Sequence, residues 1–450
     1  MLICCGCPLS RQPSYRHTSR QELAVLNIPG SPPPKTQIAS PGISRRWVTV
    51  LMLTLCGYLA GYNVGKVAAA LPFIRADLDL SLFKAGTVAS SYSVAAMLLA
   101  TLVGLFVSRF GAVLAVFCGV SLSGLAGVVG ASADSYLPLL GGRLAEGIGY
   151  ILLAISIPIL IARVIGEKSR PLAMGLWGTF IPGGVALSML LSVIVQNYTV
   201  EQWRPLWWFA CGMSLFCLAL LIFAVLPVLK AVDQQKNTST GAPATPALYH
   251  SVFERDPILL AVCFGLYSMF FVTLVTYLPT VLTETSALSV QHATRVSVFV
   301  VLCNILGNLL GGWLMGRGVR LKSILTFALM GACLCSSVVF IEQLAVPVRV
   351  GCGLLACLSG GMLPASVFAS ISRFVPAQKS GLFLGVVFQA LGAGQVAGPV
   401  VLASLVEAMG AWWSGAVYFF CMAVVSAIVL WFFQRESIER DSVHRGSDKA

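Results

Sequence analysis

Apolar residues in this chain run together in blocks, without the strict alternation of a half-buried strand. About 20 consecutive apolar residues is the length a helix needs to cross a ~30 Å hydrocarbon layer. Twelve such blocks predict spans near 48–71, 86–107, 112–133, 137–163, 171–196 and 206–229, then 257–281, 295–315, 323–343, 346–369, 380–407 and 412–433. One long polar stretch, 230–256, divides them into six and six. The layout reads as a tail over 1–46, a six-helix bundle over 47–229, a linker over 230–256, a second six-helix bundle over 257–434 and a tail over 435–450. The expected fold class is an all-α membrane protein with 12 transmembrane helices in two pseudo-symmetric bundles.

Composition agrees with that pattern. The chain has 450 residues, 57% hydrophobic and 10% charged, against roughly 25% charged in soluble domains. A net charge of +12 could suit nucleic acid, but the basic residues fall in short loops between spans. Of the 29 Lys and Arg, 22 lie on one side of the layer and 5 on the other, with Lys66 and Arg143 inside spans. The basic side is expected to be cytosolic, and with it both termini. The first tail, with six basic residues and SPPP at Ser31–Pro34, reads as disordered and cytosolic, with no signal-peptide core before the first span. Most of the 14 cysteines lie singly within spans, as Cys56, Cys118, Cys217 and Cys303 do, and serve as small apolar filler. Cys4, Cys5 and Cys7 have no histidine at ligand spacing and read as inert. His17, His250, His292 and His444 fall in tails, loops or span edges. With no phosphate-cradling loop, ligand cluster or nucleophile motif, the expectation is a non-enzyme with no cofactor and no metal.

The two groups of spans repeat one another at an offset of about 206–210 residues. Arg143-x-x-Glu146-Gly147 matches Arg349-x-x-Cys352-Gly353, and Pro158 falls on Pro364. Gly104-x-x-x-Ser108-Arg109 matches Gly312-x-x-x-Gly316-Arg317, and Leu172–Gly175 falls on Leu382–Gly385. Matches in the same order imply duplication, and paired halves suit alternating access around a midplane site.

Ionisable residues within spans are costly and face a protein interior or a water-filled cavity. Arg143 and Glu146, three residues apart, share one helix face. Lys66 lies ~28 Å of helical rise beyond Trp47, and Arg143 ~10 Å inside the opposite end of the fourth span, so both belong to the outer third of the first half. Two readings of Lys66 stay open: it snorkels to the outer headgroups, or it forms with Arg143 a cationic pocket for an anion. The Arg143–Glu146 pair could equally serve only to orient one helix. Since Cys352 stands where the repeat would place a second carboxylate, Glu146 is the candidate for proton coupling.

Leu139, Arg143, Gly147 and Gly149 form L-x-x-x-R-x-x-(polar)-G-x-G, which resembles the fourth-span signature of the major facilitator superfamily. The stretch GLFVSRFG resembles that family's G-x-L-A-D-R-x-G-[RK]-[RK] loop, keeping Gly104, Arg109 and Gly111. Ser108 replaces the acid, so the charge latch that the resemblance implies at the cytosolic face is expected to be weak. Gly175-x-x-Gly178 and Pro182-Gly183-Gly184 partly match the fifth-span motif of proton-antiport exporters, although small residues there also permit close helix packing. Gly104, Arg109, Gly111, Pro182, Gly183 and Arg317 are therefore candidate gating residues. In the family, spans one, four, seven and ten line the cavity, so Tyr62, Asn63 and Tyr267 join Lys66 and Arg143 as candidate substrate-binding residues. The wording around 66–81 and 177–187 is similar to the bacterial cyanate and nitroimidazole permease branch.

The resemblance implies a secondary active transporter of a small organic solute, an anion by preference, coupled to protons and working by alternating access. A proton-antiport exporter of a drug or siderophore is the alternative, and a transport-inactive sensor on the same fold is another. The expected partners are the solute, protons and the bilayer, with no nucleic acid. The chain is expected to be a monomer in the bacterial inner membrane.

Overall fold

In lipid the backbone has no partner but itself, so each apolar run closes its hydrogen bonds as helix. The computed structural model describes residues 42–80, 82–198, 203–237, 252–286 and 288–447, and no strand occurs among them. Its helices are α1 (Ile43–Asp77), α2 (Leu82–Phe110), α3 (Ala112–Ala131), α4 (Tyr136–Val164), α5 (Arg170–Gly178), α6 (Phe180–Tyr198) and α7 (Arg204–Leu220). They continue as α8 (Leu226–Asn237), α9 (Arg255–Thr285), α10 (Val290–Gly316), α11 (Leu321–Val339), α12 (Val346–Phe374), α13 (Ser380–Met409) and α14 (Ser414–Ser447). Among the described residues, 12 stretches are long and apolar enough to cross a membrane. The chain is a multi-pass membrane protein, six spans in each half.

Several helices overrun their apolar runs. The first begins at Ile43 and ends at Asp77, where 48–71 was expected, and α14 continues to Ser447, well into the expected tail. Residues 1–41, 238–251 and 448–450 lie outside the described residues, and with them Cys4, Cys5, Cys7, His17 and His250.

The fifth span is not the single helix that its hydrophobicity suggests. Pro182 has no N–H to give the Gly178 carbonyl, and the helix breaks at Thr179 between α5 and α6. The Thr179 hydroxyl donates to the Leu176 carbonyl at 2.7 Å and meets the Tyr58 hydroxyl at 3.1 Å, so side chains fill the break. The sixth span joins α7 to α8 through one π turn at Leu221–Val225.

Close packing comes from small residues facing backbone. Gly61 faces the Ile181 carbonyl and Gly184 across the α1–α6 contact, where an added Cβ would lie within 3.1 Å of both. Between the halves, α2 lies along α13 and α5 against α10. A Cβ on Gly385 would fall 2.7 Å from the Ala100 carbonyl and 3.1 Å from the Gly104 Cα. One on Gly175 would fall 3.2 Å from the Gly312 Cα. Hydrogen bonds across this seam include Ser93 to Gln395 at 3.0 Å, Thr101 to Gln389, and Arg170 to Ser372 at 3.0 Å. The turns after the second and eighth spans carry Gly111 at φ +92° and Gly318 at φ +80°. A side chain would strain either position.

Candidate functional site

The seventh turn of α1 and the second and third turns of α4 bring a charged cluster together in the first half. Lys66 and Arg143 are fully buried and Glu146 is 1% exposed. The Lys66 ammonium lies 2.6 Å from Glu146 Oε1, and Arg143 pairs with Oε2 of the same carboxylate. Lys66 also donates to Asn63 Oδ1 at 2.9 Å, while Arg143 Nη1 donates to the Asn63 carbonyl at 2.9 Å and Nε to that of Val88 at 3.4 Å. The Lys66 ammonium sits 4.5 Å from the Trp207 ring centroid, and the Arg143 guanidinium 5.5 Å from that of Tyr92, each close enough for a cation–π contact.

The Lys66 side chain turns inward to Glu146, whose carboxylate shares the Arg143 face. Glu146 is thus bridged by two cations, Lys66 from α1 and Arg143 from α4. The cluster keeps unpaired capacity. Arg143 Nη2 and Asn63 Nδ2 are buried without a hydrogen-bond partner.

The other expected site residues lie apart. The Tyr62 hydroxyl donates to the Leu206 carbonyl at 2.9 Å, tying α1 to α7. Tyr267, in the second half, donates to Asn304 Oδ1 at 3.3 Å. Between it and the charged cluster runs a relay of rings: Tyr92 to Tyr150 at 6.0 Å, Tyr150 to Phe388 at 6.2 Å, Phe388 to Phe264 at 6.0 Å, and Phe264 to Tyr267 at 5.9 Å. Gly183 packs on the Tyr58 ring within the first half. Arg109 and Arg317 are exposed, Arg109 over the ring of Phe110 at 5.6 Å and Arg317, just past the end of α10, over that of Trp313 at 4.7 Å. Gly104 lies at the α2–α13 seam against Gly381 and Gly385. Ser108, at the position of the family's acid, touches the second half: its hydroxyl accepts the Leu382 backbone N–H at 3.0 Å, at the start of α13.

Sequence reasoning missed Trp207 and Tyr150 as neighbours of the site. Trp203 and Trp207 stand one helical turn apart at the start of α7, which hints at a shared inward face, and their rings meet edge-on at 5.2 Å. In the second half, the repeat's counterpart of Arg143 is also buried. Arg349, 1% exposed, donates through Nε to the Val339 carbonyl at 2.7 Å and through Nη1 to the hydroxyls of Thr285 and Ser286 at 2.8 and 2.9 Å.

Comparison with known proteins gives a consistent picture. The family model for the Major Facilitator Superfamily matches residues 51–359. The facilitated glucose transporter member 12 of solute carrier family 2 from Mus musculus is 28% identical over 167 residues, 37% of this chain and 26% of that protein. The hexuronate transporter of Bacillus subtilis (strain 168) is 24% identical over 274 residues, 59% of this chain and 63% of that protein. The chain therefore spans between about a quarter and just under two thirds of the length of these curated relatives. Among solved structures, the proton:xylose symporter XylE superposes with a TM-score of 0.69 at 17% identity, covering 87% of this chain and 96% of that one. The human organic anion transporter MFSD10 (TETRAN) gives 0.66 at 16% identity, covering 87% and 100%. At these identities the structural likeness is one of fold.

Proposed function

The chain belongs to the Major Facilitator Superfamily, and on that premise we propose that it is a secondary active transporter moving a small carboxylate-bearing solute by alternating access, coupled to protons. The observation that carries this reading is what the Lys66–Asn63–Arg143–Glu146 cluster leaves unpaired. Two cations and one carboxylate sum to one positive charge in a buried site, and the unused groups, Arg143 Nη2 and Asn63 Nδ2, are both donors. A carboxylate brings acceptors and the balancing negative charge, whereas a neutral polyol brings as many donors as acceptors. Hexuronates, for which the Bacillus subtilis relative is named, are sugars that carry such a group.

Coupling follows from competition. Glu146 is held by both cations, and an anion arriving at Arg143 displaces one of these contacts. The carboxylate then takes up a proton more readily, so that solute and proton enter together and leave together as access alternates. Tyr62 and Tyr267 serve this scheme by position, one bracing α1 and the other at the far end of the ring relay. The seam of α2 with α13, containing Gly104 and the Ser108 contact, is where one half moves against the other. The basic side, which carries Arg109 and Arg317, faces the cytosol.

Uptake of glucuronate into proteoliposomes under an imposed pH gradient, measured beside counterflow in the same vesicles, tests the scheme. Glu146→Gln mimics the protonated acid and should abolish gradient-driven accumulation while counterflow persists. If that variant still concentrates glucuronate like the unaltered chain, Glu146 is a structural partner and the proton travels elsewhere.

A further inference from the structure

Duplication placed a second buried arginine in the other half, and its surroundings differ from the first in one respect that has chemical consequences. Arg349 is the fourth residue of α12, on the same side of the layer as Arg143 and Lys66. Its Nε and Nη1 are used by three neutral acceptors on α11, on α9 and just beyond α9: the Val339 carbonyl and the hydroxyls of Thr285 and Ser286. Nη2 is buried without a hydrogen-bond partner. Among the described residues no carboxylate lies within 4.0 Å of the guanidinium. The exposed Glu342, in the turn before α12, acts on the guanidinium electrostatically from beyond ion-pair distance, and the exposed Glu284 carboxylate accepts instead the Trp412 indole N–H at 2.8 Å. At the position that Glu146 occupies in the first half stands Cys352.

We infer that Arg349 and Ser286 form a binding site for a small monovalent anion at the outer end of the second half. Three neutral acceptors satisfy hydrogen bonds but do not cancel a buried charge, an exposed carboxylate beyond ion-pair distance offsets it only in part, and a buried charge without a direct counter-charge is unfavourable. A role as a brace uses Nε and Nη1 only; it gives no function to the charge or to Nη2. The unused donors limit the ligand. The Thr285 hydroxyl hydrogen is committed to the Val281 carbonyl at 2.5 Å, whereas that of Ser286 has only a 3.3 Å contact to Thr285. Nη2 and the Ser286 hydroxyl therefore remain to donate, enough for chloride or one carboxylate end. A single positive charge balances a single negative one. The site is separate from the Lys66–Glu146 cluster and does not depend on the transport reading.

Anion binding to the folded state alone raises the unfolding midpoint with ligand concentration. Purified full-length chain in detergent micelles, followed by tryptophan fluorescence, is titrated with sodium chloride, sodium acetate or the bulkier sodium isethionate at constant ionic strength. The midpoint should rise saturably with chloride or acetate and not with isethionate, and the rise should shrink in Arg349→Gln, leaving only the part that Arg143→Gln removes. A response to chloride alone identifies an inorganic anion from the medium, and one to acetate alone the carboxylate end of a solute. An equal rise in Arg349→Gln, or no saturable rise in the unaltered chain, overturns the site. Should Arg349→Gln fail to fold, Ser286→Ala keeps the charge and removes a donor. It must weaken the apparent anion affinity several-fold, and an unchanged affinity there overturns the site equally.

Discussion

Arg143 and Arg349 occupy matching places in two copies of one six-span unit, and both are withdrawn from solvent. Their company differs. The first meets a carboxylate three residues along its own helix, which also takes a lysine from α1. The second meets a carbonyl and two hydroxyls. A duplicated scaffold has kept the cation and changed what answers it. In the proposed scheme, the counter-charge in the first half lets a competing anion open the pair and a proton exchange there. The neutral oxygens in the second half leave the cation, on the same proposal, to an external anion. On these proposals the same arginine serves two chemistries according to one position, Glu146 or Cys352.

The comparison is broken most severely at Lys66. Lys66→Gln removes one of the two cations on Glu146, so glucuronate uptake should fall far more than uptake of glucose, and Lys66→Arg should restore part of it. Equal losses for both solutes would reduce Lys66 to a structural role. Glu146 keeps Arg143 as its partner in this variant, so the carboxylate is not left uncompensated, and the folded fraction is to be measured alongside.

Placing an acid in the second half sharpens the contrast. Cys352→Glu lies three residues from Arg349 on one helix face and should supply internally the charge that chloride or acetate supplies from outside. The anion-dependent rise in the unfolding midpoint is then expected to shrink. Its survival at full size would mean that position 352 does not answer position 349 as Glu146 answers Arg143.

Smaller effects separate contacts between the halves from contacts within one. Gly385→Ala pushes a methyl into the backbone of α2, where nothing flexible can yield, at a cost of about 1–3 kcal/mol, and should slow transport. Gly183→Ala meets the Tyr58 ring, 2.7 Å away at its nearest atom, inside the first half; a side chain can give way, so transport should suffer less. Ser108→Ala loses the single hydrogen bond to Leu382, about 0.5–1.5 kcal/mol, and should shift the balance of conformations only slightly. Site-directed labelling at the two ends of the bundle reads both changes.

The number of spans, their grouping and the repeat between them were legible in the sequence because each depends on local properties: run length, mean polarity and spacing along one helix. The pairing of Arg143 with Glu146 was legible for the same reason, since three residues on one helix fix a shared face. The second cation on Glu146 was not, because Lys66 is 80 residues away and its long side chain can reach outward or inward. Nor did hydrophobicity register the break at Thr179, which depends on one missing N–H at Pro182 and a hydroxyl from α1. That Ser108 meets Leu382 depended on where the α13 N-terminus lies, 274 residues further on. Sequence by itself determined the helices and which polar residues they carry, because helix formation in lipid is settled within each segment. Only the tertiary structure decided which of those polar residues meet, because burial makes each charge seek whatever partner the packing of distant helices brings within reach.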